Sequence, residues 1–435
     1  MTTPPITNSS KLPVLILGAG PSGLLLAQTL RRHGVPFRLF ERDDDFTTFR
    51  GPGWGLTLNW SLPVLRDLLP DDLGSVESIR NICVDKPSVE EGKTCRFPFY
   101  DLSNAERRYE IPSMPETKLI RVTRERLRRL LATKINIEWN KIFKSFDESV
   151  KSVTITFEDG SSAEGCLLVA CDGGKSRVRT QLLPDDAMER LYEIPVRMLG
   201  IKIDYEPEEA EAFRQLDTFC LHGNAPNRTF AYMGVLDSPG NNEYSTDKVS
   251  MQACVSWPYT SGVLGRSEPI DIPETNDERT VLLKEIANTW AEPFKSLITK
   301  MPLGTEVKGL VLKDWLPSYD LQTRGRTVLM GDALHLMAMY RGEGASHSLA
   351  DVEDFATHVL PLLQQEQGQE HPFETSQLRQ ALSMYERTAV HRARPGVLAS
   401  RQAATDAHTW GNNGPDSPLL SRRQRTAPFV DPATV

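Results

Sequence analysis

The hexapeptide GAGPSG at residues 18–23 has the GxGxxG spacing that lets a backbone turn approach a pyrophosphate. In this pattern Gly18 permits a tight turn, and Gly20 lets phosphates approach the main chain. Gly23 lets the following helix pack closely against the preceding strand. The N-terminus of that helix then faces the phosphate charge. These residues predict dinucleotide binding.

An acidic residue supports the same prediction. Glu41 lies 23 residues after Gly18, at the end of a predicted strand. In dinucleotide-binding folds an acid at about this place binds the ribose hydroxyls. The alternative is a glycine turn followed by a surface glutamate, which needs no ligand.

The elements that must position these residues follow from the hydrophobic pattern. Residues 12–17 are a short apolar run that predicts a strand. The leucine-rich segment 24–32 predicts a helix with Gly34 as its C-cap, and residues 35–40 predict a second strand. Strand, turn, helix and strand make a βαβ unit, which implies a parallel sheet covered by helices.

Two later apolar runs each end in a pair of glycine and aspartate. Residues 166–171 predict a buried strand that stops at the Asp-Gly pair 172–173, and residues 327–330 predict one that ends at the Gly-Asp pair 331–332. An Asp-Gly turn after a strand is plausible without any function. A functional role for either pair therefore depends on the motifs around it.

The domain organisation follows from changes in this pattern. Between residues 182 and 310 short strand-like pieces predominate, and they predict a sheet-rich layer. Residues 277–300 are the exception, because their pattern is helical. Two helical regions follow. The predicted divisions are a disordered N-terminus (1–11), a first part (12–181), the sheet-rich domain (182–310), a completing part with C-terminal helices (311–405, with helices near 345–363 and 374–404) and a mobile tail (406–435).

Composition excludes several classes of protein. The 435 residues are 39% hydrophobic and 25% charged, which predicts an enzyme-sized globule. Fifty Lys and Arg against 58 Asp and Glu give a net charge of -8, which is not typical of a nucleic-acid binder. Six cysteines without metal-ligand spacing predict neither disulfides nor a metal site. Without a signal peptide or a long apolar run, we expect a cytoplasmic protein with no membrane anchor.

Together the motifs resemble those of single-component FAD-dependent monooxygenases of the para-hydroxybenzoate hydroxylase type. The matching segments, in the family's order, are GAGPSG, Glu41-Arg42, GPGWGLTLN at 51–59, Arg124 at a helix start, ACDGGKSRVR at 170–179 and VLMGDALHLMAMYRGEGASHSLADV at 328–352. The resemblance covers most of the chain. It implies an α/β fold with a Rossmann-like FAD-binding domain, whose parallel sheet has glutathione-reductase-like topology. It further implies an inserted sheet-rich substrate domain and C-terminal helices.

The resemblance also assigns residues to the cofactor. FAD would contact the glycine turn, the acid after the second strand, the loop at 51–59, the start of a helix and both Asp/Gly pairs. The residues so assigned are Gly18, Gly20, Pro21, Ser22, Gly23, Glu41, Arg42, Gly53, Trp54, Gly55, Arg124, Asp172, Gly173, Gly331, Asp332, Gly342, Gly344 and Ala345. Because the chain has no second GxGxxG, NADPH or NADH would bind transiently near the flavin.

In such enzymes the reduced flavin combines with O2 to give a C4a-hydroperoxide, whose distal oxygen passes to the substrate. The resemblance is strongest to fungal secondary-metabolism members, which implies hydroxylation, epoxidation or oxidative rearrangement of a hydrophobic, aromatic natural product. Arg197 and Tyr232 in the sheet-rich layer are candidates for substrate activation, with His222 and Trp257 as further pocket candidates. For each of these four residues an ordinary core or surface role remains open.

Departures from the family keep alternatives open. Met339, Arg341 and Ser346 stand where the family usually has Pro, Gly and Asn. The alternatives are an FAD-dependent oxidase or cyclisation catalyst without oxygen insertion, and a flavin-binding protein without turnover. A halogenase is disfavoured because no WxW occurs. His335 and His347 are not assigned as catalytic bases, and a monomer or a homodimer is expected.

Overall fold

The computed structural model describes residues 12–45, 54–183, 191–242, 245–323, 325–366, 375–411 and 413–427. The predicted N-terminal disorder at 1–11 lies outside these ranges, as does Gly53. The strands are β1 (Val14–Leu17), β2 (Phe37–Phe40), β3 (Gly55–Leu58), β4 (Phe99–Asp101), β5 (Arg107–Tyr109), β6 (Ile120–Thr123), β7 (Ile137–Glu138), β8 (Phe143–Glu148), β9 (Val153–Phe157), β10 (Ser162–Gly165), β11 (Leu167–Ala170), β12 (Tyr192–Tyr205), β13 (Cys220–Asn224), β14 (Phe230–Asp237), β15 (Val249–Pro258), β16 (Val307–Asp314) and β17 (Thr327–Leu329). The helices are α1 (Pro21–Arg32), α2 (Leu62–Leu68), α3 (Val76–Arg80), α4 (Lys86–Glu90), α5 (Arg124–Ala132), α6 (Arg177–Leu182), α7 (Pro207–Leu216), α8 (Asn276–Ala287), α9 (Phe294–Thr299), α10 (Asp332–His335), α11 (Gly344–His358), α12 (Leu360–Glu366) and α13 (Thr375–Ala407).

A five-stranded parallel sheet carries the glycine turn. Its strand order is β17-β11-β1-β2-β7, and β1 pairs in parallel with both β11 and β2. All four residues of β1 are buried, as expected for a strand covered on both faces. The apolar residues of α1 are buried as well. The predicted βαβ unit and α/β fold class are confirmed.

A seven-stranded sheet forms the second layer. Its order is β16-β12-β15-β14-β13-β4-β5, and β12 runs beside both β15 and β16. The predicted bounds of 182–310 do not coincide with the ends of this sheet. Strands β4 and β5 come from the first part of the chain, and β16 continues to Asp314. Local pattern does not show such long-range pairing, because β4 joins β13 in parallel from far along the chain.

The helices after the sheet are more divided than the pattern predicts. The predicted helix at 277–300 is two helices, α8 and α9, and Pro293 precedes the second. Thr275 and Glu278 begin α8 with a capping box. The predicted helix at 345–363 likewise divides into α11 and α12, whereas α13 continues through Pro395 to Ala407.

The predicted mobile tail is wrong for the part of it that the structure describes. Residues 413–427, here called the C-terminal segment, pack on the fold. Leu419 and Leu420 are buried against Phe230 and Tyr340, and Ala427 is buried as well. The sequence could not show this packing, since its partners lie far away in the chain.

Apolar side chains form separate core clusters around the five-stranded and seven-stranded sheets. One cluster surrounds the parallel sheet, and a second includes the seven-stranded sheet together with α8 and α9. All six cysteines are buried and free. Among the described residues no group of three His, Cys, Asp or Glu side chains could hold a metal ion. Within the same ranges, every helix is too short or too polar to cross a bilayer.

Candidate active site

The three glycines of the turn at residues 18–23 have separate roles. Gly18 has a φ of 107°, which L side chains rarely adopt, and a Cβ there would collide with the carbonyl oxygen of Cys171. A Cβ on Gly23 would collide with the carbonyl oxygen of Gly18, so this glycine permits the close approach of α1. No atom lies within 4 Å of the place that a Cβ on Gly20 would take. The main chain at Gly20 is therefore open to a ligand.

Glu41 joins the glycine turn to the end of β2. Its Oε2 accepts a hydrogen bond from the Ala19 amide at 2.7 Å. Its Oε1 accepts hydrogen bonds from the amides of Arg42 and Asp43 at 3.0 and 3.2 Å. Glu41 is buried and Arg42 is exposed, and neither lines the cavity described next. Their contact with a ribose stays a prediction.

A cavity of about 650 Å³ connects the glycine turn to the seven-stranded sheet. The predicted cofactor residues along it are Gly20, Pro21, Ser22, Trp54, Gly55, Arg124, Gly173, Asp332, Gly342, Gly344 and Ala345. Its far side is mostly apolar, formed by Phe97, Ile111, Pro112, Met114, Leu119, Met198 and Phe230. A concave, largely apolar space with few polar groups is typical of a small-molecule site.

Asp332 faces the cavity at the start of α10. Gly331 before it has a φ of 66°, and a Cβ there would come within 2.8 Å of the Ser22 hydroxyl. The surrounding protein desolvates Asp332 and raises the pKa of its carboxyl, while His335 and Arg124 act to lower it. The α1 N-terminus, Asp332 and Arg124 thus lie along one side of the cavity. The open backbone at Gly20, the N-terminus of α1 and the polar side chains of Asp332 and Arg124 fit a dinucleotide such as FAD.

Buried charged groups support the turn at Gly331 on the side away from the cavity. Asp351 accepts a hydrogen bond from the Gly331 amide at 2.7 Å, and it contacts His335 Nε2 at the same distance. Although burial alone would raise the pKa of Asp351, His335 and Arg392 hold it below its ordinary value. Burial lowers the pKa of His347, whose Nδ1 lies 2.9 Å from Arg392. Neither histidine lines the cavity. His335 supports the turn through Asp351, and His347 contacts the Arg392 that also binds Asp351.

The segment beginning with Trp54 brings two predicted residues to the cavity. The Arg124 amide donates to the Trp54 carbonyl at 3.0 Å, which ties β3 to the start of α5. The indole lies so close to Gly200 that a Cβ there would come within 2.6 Å of it. Gly55 and Trp54 both line the cavity.

The Asp-Gly pair after β11 divides between two roles. Asp172 accepts hydrogen bonds from the amides of Arg177 and Val178 at 2.9 and 3.3 Å, in the first turn of α6. Burial raises the pKa of this carboxyl. Gly173, with a φ of 82°, lines the cavity, whereas Asp172 does not. The contact with FAD that was predicted for the pair therefore has geometric support for Gly173 alone.

Arg197 and Trp257 lie outside the cavity, contrary to the pocket roles considered for them. Arg197 donates from Nε to Asp271 at 2.7 Å, and its guanidinium stacks 4.0 Å from the centre of the Tyr259 ring. Trp257 is fully buried and donates to the Ile270 carbonyl at 2.8 Å. Neither side chain is among the described residues that line the cavity. Strand alternation alone did not show on which face Arg197 lies.

Tyr232 and His222 do line the cavity, from β14 and β13. Desolvation raises the pKa of the Tyr232 phenol, and Arg121 opposes that effect. Burial lowers the pKa of His222 to about 3, so its ring is neutral near pH 7. Tyr232 therefore remains a candidate for substrate contact.

Arg121 is a cavity residue that sequence reasoning missed. It lies in β6 between apolar Ile120 and Val122, and it is only 3% exposed. Its Nη1 donates to the Thr57 hydroxyl at 2.9 Å, and its guanidinium carbon lies 5.7 Å from the centre of the Tyr232 ring. An arginine within an otherwise apolar strand was the available signal, because arginines are seldom buried without a partner.

A buried hydrogen-bond chain starts at Tyr340 on the cavity wall. The Tyr340 hydroxyl donates to Ser256 Oγ at 2.9 Å, and Ser256 lies 3.0 Å from His408 Nε2. His408 Nδ1 lies 2.7 Å from the Ala404 carbonyl, an acceptor, so Nδ1 carries the proton and Nε2 accepts from Ser256. Because Tyr340 uses its proton on Ser256, its oxygen presents only lone pairs to the cavity.

The C-terminal segment supplies another wall. Leu419, Leu420 and Arg423 line the cavity. Arg341 anchors the segment by donating to the Ser421 hydroxyl at 3.0 Å, and its Nε donates to Glu343 at 2.6 Å. Arg341, which departs from the family pattern, thus holds this wall in place.

Comparisons with known proteins agree with this geometry. A family model described as "FAD binding domain" matches residues 11–270. A probable FAD-dependent monooxygenase of Arthroderma benhamiae is 38% identical over 94% of this chain and 95% of its own length. The FAD-dependent monooxygenase dbaB of Emericella nidulans is 36% identical over 81% of this chain and 88% of its own length.

Solved structures show the same fold. The 2,6-dihydroxypyridine-3-hydroxylase of Arthrobacter nicotinovorans has a TM-score of 0.71, with 17% identity over 98% of this chain and all of its own. A salicylate hydroxylase substrate complex has a TM-score of 0.69, with 20% identity over 95% of this chain and 93% of its own. The family match and the fungal relatives carry the assignment, while the structures show the fold. The chain therefore belongs to the FAD-dependent monooxygenases that carry this FAD binding domain, and it is an oxidoreductase.

Proposed function

We propose that this protein uses FAD, O2 and NADPH or NADH to insert one oxygen atom into a hydrophobic, aromatic natural product. The observation that carries the proposal is the single continuous cavity. One end has the open backbone of the glycine turn, and the other is an apolar chamber beside the seven-stranded sheet. A flavin and a substrate placed in such a cavity would be in contact without intervening solvent.

The chain's own residues would position and isolate the reactants. The α1 N-terminus, Arg124 and Asp332 would hold the polar parts of FAD, and Gly342, Gly344 and Ala345 would lie along its ring system. When bound, FAD would supply the redox chemistry, accepting a hydride from the nicotinamide and passing electrons to O2. Apolar side chains on the far side would exclude water from the reacting atoms.

Tyr232 and Tyr340 would orient the substrate on the sheet side. The Tyr340 oxygen accepts a hydrogen bond from whatever donor group enters the cavity, since its own proton goes to Ser256. Tyr232 lines the cavity from β14 of the seven-stranded sheet, and its hydroxyl can donate or accept a hydrogen bond. A substrate hydroxyl beside Tyr340 fits this arrangement, as in a phenolic natural product.

The test is an anaerobic reduction followed by exposure to air. We expect the purified FAD-loaded protein to be reduced slowly by NADPH alone, and faster when a suitable aromatic compound from a panel is present. On exposure to isotopically labelled O2, one labelled oxygen atom should appear in the product by mass spectrometry. NADH in place of NADPH decides the nicotinamide preference.

Other outcomes point to other functions. Oxidised product without labelled oxygen, with hydrogen peroxide released, would identify an oxidase or a cyclisation catalyst. Bound FAD that neither nicotinamide reduces, with every compound of the panel, would identify a flavin-binding protein without turnover. Protein that binds no added FAD would contradict the proposal itself.

A further inference from the structure

Two buried cysteines lie side by side behind the cavity wall. Cys95 belongs to the irregular segment that precedes β4, and Cys220 is the first residue of β13. They are 3% and 0% exposed. Their Sγ atoms lie 3.3 Å apart, within hydrogen-bond distance for sulfur, although the two residues are 125 positions apart in the chain. Both are free thiols, so the fold assembles a dithiol from two distant segments.

A cationic group stands next to one of these thiols. In the sheet Cys220 pairs with Gly234, which has no side chain to fill the space between them. A Cβ on Gly234 would lie 3.2 Å from the Cys220 Cβ and 3.1 Å from Arg121 Nη2. The Tyr232 hydroxyl would be 2.9 Å from the same point. Because Nη2 has no hydrogen-bond partner among the described residues, its charge is available to a thiolate on Cys220.

The two thiols differ in acidity. Although burial alone would raise the pKa of the Cys220 thiol, its hydrogen bond with Cys95 and the charge of Arg121 hold that pKa below its ordinary value. Asp217 opposes the ionisation of Cys220, but burial raises the pKa of this carboxyl as well. Burial also raises the pKa of the Cys95 thiol, so Cys95 donates the hydrogen bond and Cys220 accepts it. A thiolate beside a cation is typical of reactive rather than structural cysteines.

Two other cysteines provide an internal comparison. Cys254 lines the cavity, and burial raises the pKa of its thiol to about 12. Cys83 has a pKa that is likewise raised to about 12, chiefly by burial. Buried cysteines that stay protonated are inert toward oxidants. We therefore expect an oxidant to react at Cys220 before it reacts at Cys254, although Cys254 is the one that faces the cavity.

We propose that Cys95 and Cys220 form a redox site, which hydrogen peroxide converts from a dithiol to a disulfide. The Cys220 thiolate attacks one oxygen of the peroxide, the O–O bond breaks, and the leaving hydroxide takes the Cys95 proton and departs as water. The Cys95 thiolate then attacks the sulfur of the Cys220 sulfenic acid. An S–S bond forms, and the hydroxyl group leaves with a proton from solvent as the second water. Two thiols are oxidised and one peroxide is reduced.

The inference rests on the proposed function only for the source of the peroxide. Hydrogen peroxide is the product when O2 is reduced at a flavin without transfer of oxygen to a substrate. Arg121 and Tyr232 line the cavity and lie next to Cys220, so the site is one layer of side chains away from that source. The state of the cavity wall then depends on the peroxide that the enzyme releases.

The geometry permits the bond. A disulfide is about 2.0 Å long, so the two sulfur atoms must approach each other by about 1.3 Å from their separation of 3.3 Å. Cys95 is in an irregular segment and not in a strand, so this segment can supply the movement while β13 keeps its pairing with β14.

The first test uses added hydrogen peroxide and needs no turnover. FAD-loaded protein is exposed to peroxide, denatured with N-ethylmaleimide present, digested and analysed by mass spectrometry. We expect a cross-link between Cys95 and Cys220 to form first, while Cys83 and Cys254 are still alkylated as free thiols, and dithiothreitol to remove the cross-link. Oxidation that reaches Cys254 first, or that ends at a sulfinic acid on Cys220 without a cross-link, overturns the inference.

Variants separate the roles of the two thiols. Cys95→Ala should stop the reaction at a Cys220 sulfenic acid, which dimedone labels, whereas Cys220→Ala should leave Cys95 unlabelled. Arg121→Gln should slow cross-linking about tenfold, the change in thiolate fraction for one pKa unit. Cys254→Ala is the matched control and should cross-link at the wild-type rate. Equal dimedone labelling of the two alanine variants at 95 and 220 would contradict Cys220 as the attacking thiol. If Arg121→Gln does not fold, these two variants decide.

The outcomes are separable from those of the proposed function. Cross-linking by added peroxide in a protein that neither nicotinamide reduces supports the inference and contradicts the proposed function. A protein that transfers labelled oxygen to a compound, but keeps Cys95 and Cys220 as alkylated thiols after added peroxide, supports the proposed function and overturns the inference.

Discussion

Gly20 and Gly23 restrict substitution for different reasons, although they lie three residues apart. At Gly20 the backbone has a φ of -79° and the space around a Cβ is empty, so the protein itself tolerates a side chain. At Gly23 a Cβ would collide with the Gly18 carbonyl oxygen, so the protein itself does not. The first glycine is required by the ligand, and the second is required by the fold.

Gly20→Ala should therefore leave the unfolding free energy of the FAD-free protein unchanged, within about 0.5 kcal/mol. The added methyl meets the phosphates instead, so FAD should bind about tenfold more weakly, or worse. Gly23→Ala should lower the unfolding free energy of the FAD-free protein by about 1–3 kcal/mol. Denaturant titrations and FAD binding curves measure both. Gly20→Ala with full FAD affinity would contradict the assignment of the turn to the pyrophosphate.

Stability should fall as the pH drops below neutral, because buried histidines stay neutral in the folded protein. Burial lowers the pKa of His408 to about 4, against about 6.5 in the unfolded chain. Its stabilising contribution is complete above about pH 6.5 and is lost as the pH falls toward 4, since the unfolded chain takes up the proton first. The loss is about 3 kcal/mol. His222, with a pKa lowered to about 3, acts in the same direction.

The variant His408→Gln tests this dependence. Glutamine can still accept a hydrogen bond from Ser256 but does not take up a proton, so the fall in unfolding free energy between pH 6.5 and 4 should become smaller. Denaturant titration across that pH range measures it. His33→Gln changes an exposed histidine and is the matched control, which should keep the wild-type slope. Equal slopes in all three proteins would show that His408 takes up a proton as readily in the folded protein as in the unfolded chain.

At the residue scale the sequence predicted the roles of glycines better than the positions of charged side chains. The roles of Gly18, Gly20 and Gly23 depend on neighbouring backbone, which a local motif specifies. The position of an arginine relative to a cavity depends on distant segments. Arg197 is drawn to Asp271 and Arg121 toward Thr57, and neither partner is near in sequence.

Among the elements, the C-terminal segment (413–427) differs most from the structure that its composition predicts. Its prolines, serines and arginines are typical of a mobile tail, yet Leu419 and Leu420 are 0% and 2% exposed. Arg423 donates to the carbonyls of Arg341, Ser421 and Leu419, so its charge is surrounded by acceptors. Burial lowers the pKa of Arg423 to about 10, with Arg341 adding to the effect. Composition does not show these contacts, because the Arg341 carbonyl and the apolar partners of the two leucines come from other elements.

Truncating a leucine of this segment should affect both stability and the cavity. Leu420→Ala should lower the unfolding free energy by about 2–5 kcal/mol, because a buried leucine leaves a cavity when shortened. It should also weaken the binding of a neutral aromatic probe such as 2-naphthamide, since Leu420 lines the space that an aromatic ligand would fill. Leu303→Ala is the control, because Leu303 is 99% exposed and should give no change in either measurement. Unchanged binding by Leu420→Ala would place the ligand away from this wall.

For the elements in general, short-range patterns were sufficient where the structure is local. The strand, turn and helix at residues 12–34 form from contiguous sequence. The assignment of β4 and β5 to the seven-stranded sheet was missed because their partner β13 is remote. Sheet membership is a property of pairing, which hydrophobic alternation does not specify.

In the whole molecule, the cavity lies where the two sheets and the C-terminal segment meet. A ligand that binds only this assembled form stabilises the entire fold by mass action. FAD at a hundred times its dissociation constant should add about 2.7 kcal/mol to the unfolding free energy and raise the melting temperature by several degrees. Riboflavin at the same concentration, which lacks the pyrophosphate and adenosine, is the control. Equal shifts with riboflavin and FAD would show that the glycine turn does not hold the phosphates.

The same architecture dictates an order of events during synthesis. The glycine turn at 18–23 leaves the ribosome early, but Gly331 and Asp332 complete its surroundings only about 15–60 seconds later at ordinary translation speeds. Leu419 and Leu420 follow later still. The nascent chain therefore carries half of a coenzyme site, with apolar walls exposed, for most of its synthesis. Coenzyme loading is a late event, and a cell short of FAD would accumulate full-length chains with that cavity open.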